Sequence, residues 1–245
     1  MERITAGIIV IGNEILSGRT QDMNANFIAS KLQSKGVLLE EVRVIRDEKE
    51  AIASSVREFS KKYTYVFTTG GIGPTHDDIT SESVAYAIGK GAEYNNQALD
   101  IMKKAYEMRG ESMPFESRKM ALMPKGAELI KNDVTSAPGF RIDNIYVMAG
   151  IPSIMQSMFM SLLPSLKGGE EVLSMQISVL VGEGKIAQAL HDLQNMYTDV
   201  EMGSYPFKHK GDHATSLVLT SSKKSRLEAA YNSLKDMVKE YEIVA

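Results

Sequence analysis

The stretch Thr68-Thr69-Gly70-Gly71-Ile72-Gly73-Pro74-Thr75-His76-Asp77-Asp78 constrains the fold more than any other part of the chain. Tyr65-Val66-Phe67 before it is an apolar run that reads as a buried strand. After it, Ile79 to Ile88 carries apolar residues at helix spacing: Ile79, Val84, Ala87 and Ile88. Three glycines and two aspartates therefore stand where a strand ends and a helix begins. In an open α/β sheet ligands bind there, outside the carboxyl ends of the strands. Glycine lets the backbone approach a phosphate, and a helix N-terminus offers free N–H groups to an anion. Two adjacent carboxylates repel a bare phosphate, so the pattern asks for a divalent cation between them, because hard cations take oxygen ligands. The alternative is a tight turn in which Asp78 caps the helix.

The same strand-and-helix alternation precedes this loop. Ile8–Ile11 reads as the first strand, Asn24–Lys35 as a helix stopped by Gly36, and Val37–Ile45 as the second strand. Asp47-Glu48-Lys49-Glu50 has the form of a capping box opening a helix to Lys62, and Tyr65–Thr69 is the third strand. Short connections between alternating elements imply a mostly parallel sheet covered on both faces, a three-layer α/β fold of Rossmann type. Asn95–Arg109 and Glu116–Leu122 read as helical. Phe140–Met148 reads as a hairpin turning at Asp143-Asn144, whose second arm returns to the main sheet. Ala149-Gly150-Ile151-Pro152-Ser153 is a second strand-to-helix loop, followed by a helix over Ile154–Leu163.

Pro164–Glu171 has the composition of a linker. Beyond it the order changes to strand (Val172–Val181), helix (Ile186–Met196), strand (Val200–Tyr205), strand (Thr215–Thr220) and helix (Arg226–Tyr241). This β-α-β-β-α order is that of a small α+β module with a KH-like arrangement. The expected domains are residues 1–166, a nucleotide-pocket domain, and 172–245, the small module.

Composition narrows the function. The net charge of −3 gives no general attraction to nucleic acid or to an anionic membrane, and the module has no Gly-x-x-Gly loop or basic groove, so no nucleic-acid partner is expected. No apolar run reaches the ~20 residues that span a bilayer. The absence of cysteine excludes a disulfide framework, a thiolate nucleophile and a zinc ribbon, and fits a cytoplasmic protein.

Further candidates surround the glycine loop. Gly12-Asn13-Glu14-Ile15-Leu16, with Asp22 and Asn24 beyond, follows the first strand and lies beside the glycine loop if the two strands are neighbours. Glu14 and Asp22 offer a carboxylate and a ribose or base contact; the other reading is a polar loop with Asp22 as a helix cap. His76 is either a phosphate contact or proton donor, or a solvated loop histidine. Asn132–Gly139 is turn-rich and carries hydroxyls at Thr135 and Ser136. Gly203-Ser204-Tyr205-Pro206 reads as a strand end in the module.

These motifs, in this order, resemble the molybdopterin-binding family of molybdenum cofactor biosynthesis, with its MogA/MoaB and gephyrin-type domains. They are most similar to the branch found in CinA proteins and in the N-terminal part of FAD synthases. Gly70–Thr80 resembles that branch's Gly-Gly-x-Gly-Pro-Thr-x-Asp-Asp-x-Thr signature, and Gly12–Leu16 with Asp22-x-Asn24 its first motif. Ser136–Phe140, Gly150–Ser153 and Gly203–Pro206 resemble three later elements. Thr135 stands where the family usually has glycine, Ala149 where it usually has proline, and Asp133 adds an acid to its loop. The sequence shows neither the amidohydrolase domain of CinA proteins nor the synthase domain of FAD synthases, and activities of those domains are not carried over.

The resemblance implies one of two chemistries. One is metal-dependent hydrolysis of a dinucleotide pyrophosphate such as ADP-ribose or FAD. The other is molybdopterin binding with adenylyl transfer; non-catalytic nucleotide binding is a third possibility. Under the hydrolytic reading Asp78, Asp47 and Asp22 are the catalytic candidates, and Asp77, Asp78 and Glu14 hold Mg²⁺, Mn²⁺ or Co²⁺. Gly12, Asn13, Glu14, Asn24, Gly70, Gly71, Gly73, Pro74, Thr75, Thr135, Ser136, Gly150 and Pro152 form the substrate surface. The expected partner is a small nucleotide or pterin, and the family implies a homo-oligomer, a dimer or trimer.

Overall fold

The computed structural model describes residues 4–170 and 172–244. The chain forms two compact units, one holding the residues up to Gln33 together with Val37–Gly169, the other Ser34–Gly36 and the chain from Glu170 onward.

The first unit follows strand-and-helix alternation. Its elements begin with β1 (Thr5–Ile11), α1 (Asn13–Leu16), α2 (Asn24–Ser34), β2 (Leu38–Ile45), α3 (Lys49–Lys62), β3 (Tyr65–Thr69) and α4 (Thr80–Ala87). They continue with β4 (Ala92–Tyr94), α5 (Asn96–Met108), β5 (Leu122–Pro124), β6 (Glu128–Ile130), β7 (Gly139–Ile142), β8 (Ile145–Met148) and α6 (Pro152–Leu162). Six strands make one sheet in the order β2-β1-β3-β8-β7-β6. The β1–β2, β1–β3 and β3–β8 pairs are parallel, and the β6–β7 and β7–β8 pairs antiparallel. Side chains of a strand alternate between faces, and β1 shows the consequence. Ile8 and Val10 enter a core with Ile28, Leu32, Phe67, Met155 and Phe159 on the α2 and α6 side. Ile9 and Ile11 enter a core with Ile52, Val56, Phe59, Val84 and Met102 on the α3, α4 and α5 side. Burial on both faces is why β1 and β3 read as continuous apolar runs.

The expected hairpin is present, with Asp143 at φ 54 in its turn. The helix expected over Glu116–Leu122 is a 3-10 helix over Glu116–Ala121, and Leu122 opens β5, which pairs with β4. Pairing with Ala92–Tyr94 supplies β5 with hydrogen-bond partners that no local pattern announces. The expected linker begins inside the first unit: Leu166 is buried, and the Lys167 N–H donates to the Tyr65 hydroxyl at 2.9 Å. Its last residue, Glu171, lies outside the described residues, as do residues 1–3 and 245 of the expected domains.

The second unit runs β9 (Leu173–Val179), α7 (Glu183–Met196), β10 (Glu201–His209), β11 (Asp212–Ser221), α8 (Lys224–Met237) and β12 (Ile243–Val244). It is the expected β-α-β-β-α order with one strand added, an antiparallel sheet in the order β10-β11-β9-β12. Ile177, Val179, Leu217, Leu219, Leu227 and Leu234 fill its core. Gly203–Pro206 does not end a strand. It lies within β10, which continues to His209. Proline is tolerated there because β10 is an edge strand, whose outward side makes no ladder bond. The last helix stops at Met237, short of the expected Tyr241, and the chain then turns so that Ile243 and Val244 pair with β9.

Candidate active site

The carboxyl ends of β1, β3 and β8 are adjacent, so the loops that follow them emerge side by side. The Gly70 N–H donates to the Met148 carbonyl at 3.1 Å, and the Gly12 N–H to the Ile45 carbonyl at 3.2 Å. Gly70 has φ 106, and a Cβ there would overlap the Ile11 carbonyl. A Cβ on Gly150 would stand 3.2 Å from the Gly70 Cα. Three strand ends pass so close that side chains have no room, which concentrates glycine at this point.

Thr75 organises the glycine loop. Its N–H donates to Asp78 Oδ2 at 2.8 Å, and its hydroxyl lies 2.5 Å from Asp78 Oδ2 and 2.6 Å from Asp77 Oδ1. The Thr75 hydroxyl first, then the backbone N–H of Asp77 itself, hold the Asp77 carboxyl below its usual range. Asp78 is thus turned back onto the loop and does not cap α4, whose N-cap residue Ile79 makes no side-chain cap bond. Lys119, from the 3-10 helix, donates to the Thr75 carbonyl at 2.6 Å. Pro74 and His76 are exposed on the same loop.

Asp47 departs from the capping-box expectation. The N-cap residue of α3 is Glu48, with no side-chain cap bond. Asp47 Oδ2 instead accepts the Asn13 N–H at 2.8 Å, across to the loop after β1. Tertiary structure offered Asp47 a better donor than its own helix. Burial pushes the Asp47 carboxyl up, against the Asn13 hydrogen bond, and the nearby charges of Glu14 and Asp77 push the same way. The Glu14 carboxylate folds back against Gly12, where a Cβ would lie 2.6 Å from Oε1.

Asp22 and Asn24 frame the start of α2. Asp22 accepts the Asn24 and Ala25 N–H groups, each at 3.1 Å, so both its oxygens serve the helix end. The buried Asn24 amide donates to the Gly150 carbonyl at 2.7 Å and ties the loops after β1 and β8 together. Pro152 opens α6, where its missing N–H costs nothing.

The Asn132–Gly139 loop is built around buried Asn132. Its amide donates to the Thr135 hydroxyl at 2.7 Å and to the Ala137 carbonyl at 2.8 Å, and its oxygen accepts the Val134 N–H at 2.9 Å. Ser136 stands at φ 64, and Asp133 pairs with Lys131 at 2.8 Å.

The oxygen set suits a hard cation in one respect. A hydroxyl has one proton, so Thr75 Oγ1 satisfies one of its two carboxylate neighbours and leaves the other short oxygen–oxygen approach without a proton. A divalent cation relieves that repulsion. Among the described residues no three His, Cys, Asp or Glu side chains stand together as a metal-holding group, so Glu14 is not brought into one cluster with Asp77 and Asp78. The fit is that of an ion held by one or two carboxylates plus ligand phosphates. Sequence reading missed Lys119, Asn132 and the Asp47–Asn13 bond. Lys119 carries no local signal, since it acts through a contact 44 residues away, whereas the Asn132 side chain bonds only to Val134, Thr135 and Ala137, and its place at the head of a turn-rich loop was the signal that could have found it.

A family described as a probable molybdopterin binding domain matches residues 7–168. The chain belongs to this family. The glycine loop, Asn13, Asp47, Asn132 and Gly150 all fall within the matched span. A second family, the FAD synthase middle domain, matches residues 171–245. A protein of Archaeoglobus fulgidus is 38% identical over 204 residues, 81% of this chain and 84% of that protein. A Caenorhabditis elegans protein named as a probable FAD synthase is 30% identical over 261 residues, 97% of this chain and 50% of that protein, so this chain spans half its length. The crystal structure of the protein CinA of unknown function from Thermoplasma acidophilum matches with a TM-score of 0.60 and 31% identity, over 66% of this chain and 96% of that one. The first unit is therefore a CinA-like molybdopterin-binding domain with a mostly parallel central sheet, followed by a module of FAD synthase middle-domain type. No helix among the described residues is long and apolar enough to cross a membrane.

Proposed function

We propose that the first unit is a metal-dependent pyrophosphatase that cleaves a dinucleotide pyrophosphate of the ADP-ribose or FAD type. The observation that carries this reading is the Asp77–Thr75–Asp78 oxygen cluster beside the glycine loop. Backbone N–H groups of Gly71 and Gly73 face phosphate oxygens, with Lys119 adding positive charge; the Gly70 N–H expected beside them is already given to the Met148 carbonyl. Asp77 and Asp78, without Glu14, would hold Mg²⁺, Mn²⁺ or Co²⁺, and the ion when bound neutralises charge gathering on the phosphate oxygens. Asp47, a carboxylate made more basic by burial, takes a proton from water. The water oxygen bonds to one phosphorus as the bond from that phosphorus to the bridging oxygen breaks. The electron pair leaves on the bridging oxygen, and the products are AMP and a second phosphate monoester. Asp22 and Asn24 set the loop that meets the nucleoside, and Thr135, Ser136 and Pro152 complete the rim. The reaction belongs in the cytoplasm, on a homo-oligomer.

The family match favours a second reading, in which the same pocket holds molybdopterin and serves adenylyl transfer. Both readings place phosphates on the glycine loop. Incubation with ADP-ribose or FAD and each metal separates them: AMP release supports hydrolysis. Absence of turnover, together with a pterin recovered from protein purified from its native source, supports the second reading.

A further inference from the structure

A hollow of about 540 Å³ opens between α5 and the 3-10 helix over Glu116–Ala121. Sites for small molecules have volumes of this order. Phe115 lines it with 75% of the residue exposed, and Arg118, Lys103 and Glu107 stand around it. The Arg118 guanidinium lies over the Phe115 ring, 5.5 Å from its centroid, and 5.7 Å from that of Tyr94. Stacking uses the faces of a guanidinium and leaves the N–H donors at its edge free. Among the described residues the Arg118, Lys103 and Glu107 side chains have no ion-pair or hydrogen-bond partner, whereas Glu111 beside them is paired with Arg109 at 3.3 Å. The hollow therefore offers an exposed ring, two cationic donors and one carboxylate acceptor, with no hydrogen bond of theirs spent within the fold.

The 3-10 helix ties this hollow to the glycine loop. Lys119, next to Arg118, donates to the Thr75 carbonyl at 2.6 Å. Met113 and Met120 pack against the core on the α3, α4 and α5 side of the sheet. Asp22 and Asn24 stand at the start of α2, whose Ala25 and Ile28 enter the core on the opposite side. A diphosphate on the glycine loop thus has the α2 loop to one side and the hollow to the other.

We propose that the hollow is the subsite for the second half of the dinucleotide, and that it selects a half carrying a flat ring with an imide edge, as a flavin does. The diphosphate placement rests on the pyrophosphatase reading. The AMP half lies toward α2. The ring of the other half stacks on Phe115, Arg118 and Lys103 donate to its carbonyl oxygens, and Glu107 accepts its N–H. An imide edge carries that complement, two acceptors about one donor, and an arginine can only donate. The second half of ADP-ribose has no ring, so Phe115 separates FAD from ADP-ribose.

The test compares the wild type with Phe115→Ala and Phe115→Tyr. Phe115 is exposed, so neither change opens the core. Equilibrium dialysis with riboflavin phosphate and with AMP reads binding without turnover. Phe115→Ala should weaken riboflavin phosphate by about tenfold or more and leave AMP within about twofold, and Phe115→Tyr, which keeps a ring, should recover most of the loss. In steady-state kinetics Phe115→Ala should raise KM for FAD by about tenfold or more and leave KM for ADP-ribose within about twofold. A wild type that does not bind riboflavin phosphate overturns the proposal, as does a Phe115→Ala variant that shifts both ligands equally or neither. Riboflavin phosphate bound through Phe115 by a protein that cleaves no dinucleotide pyrophosphate retires the hydrolase reading and leaves the ring subsite standing.

Discussion

The Asn13 backbone N–H donates to Asp47 Oδ2 at 2.8 Å, joining two loops that lie 34 residues apart in sequence. This bond fixes one carboxylate oxygen and aims the other at the glycine loop. Asp47→Asn keeps an acceptor for Asn13 and removes the base. It should reduce kcat by about a hundredfold or more with little change in unfolding free energy. Asp47→Ala should reduce kcat equally and also destabilise the fold by about 1–3 kcal/mol, since the Asn13 N–H loses its partner. Steady-state kinetics and chemical denaturation of both variants check the split.

Thr75 donates its N–H to Asp78 and sets its hydroxyl between the two acids of the glycine loop. Thr75→Val should raise the metal concentration that gives half-maximal activity by about 10–100-fold, the range seen when a group orienting metal ligands is lost. Titration of activity with Mg²⁺ or Mn²⁺ measures this directly. An unchanged midpoint would falsify the role of Thr75 in orienting Asp77 and Asp78.

Asn132 supplies four bonds that shape the Thr135–Ser136 loop. Asn132→Ala should cost about 1–3 kcal/mol and raise KM more than it lowers kcat, because it loosens a loop at the rim and leaves the acids in place.

Glu41 gives the fold a pH dependence away from the site. The Tyr63 hydroxyl first, then Arg43 and Lys62, hold its carboxyl down to about 2 from the ordinary 4.5. A carboxyl held down in the folded state stabilises above its unfolded value, and the benefit is lost as pH falls through the folded one. Glu41→Gln should therefore cost about 1 kcal/mol at neutral pH, given a cluster open to solvent. The gap should narrow as pH drops from 4.5 toward 2. Denaturation curves at several pH values read it out.

The sequence showed the parallel α/β core because β1 and β3 are buried on both faces and so read as unbroken apolar runs. It showed the site because the glycines of the Gly70 loop mark where strand ends crowd together. The partners of the acids stayed hidden. Asp47 sat in a capping-box pattern that its own helix does not use, since Asn13 came from another loop. Lys119 reaches Thr75 from 44 residues away, and nothing near Lys119 signals the contact. Pro206 looked like a strand end because proline breaks a ladder, but only an interior strand needs that ladder on both sides.

The most direct test of the account is AMP release from ADP-ribose and FAD with Mg²⁺, Mn²⁺ or Co²⁺, run beside a chelator control and the Asp78→Asn variant. The account predicts AMP release that needs the metal, stops with chelator and is abolished in Asp78→Asn while that variant stays folded. No turnover with any metal, or a folded Asp78→Asn variant as active as the wild type, would contradict it.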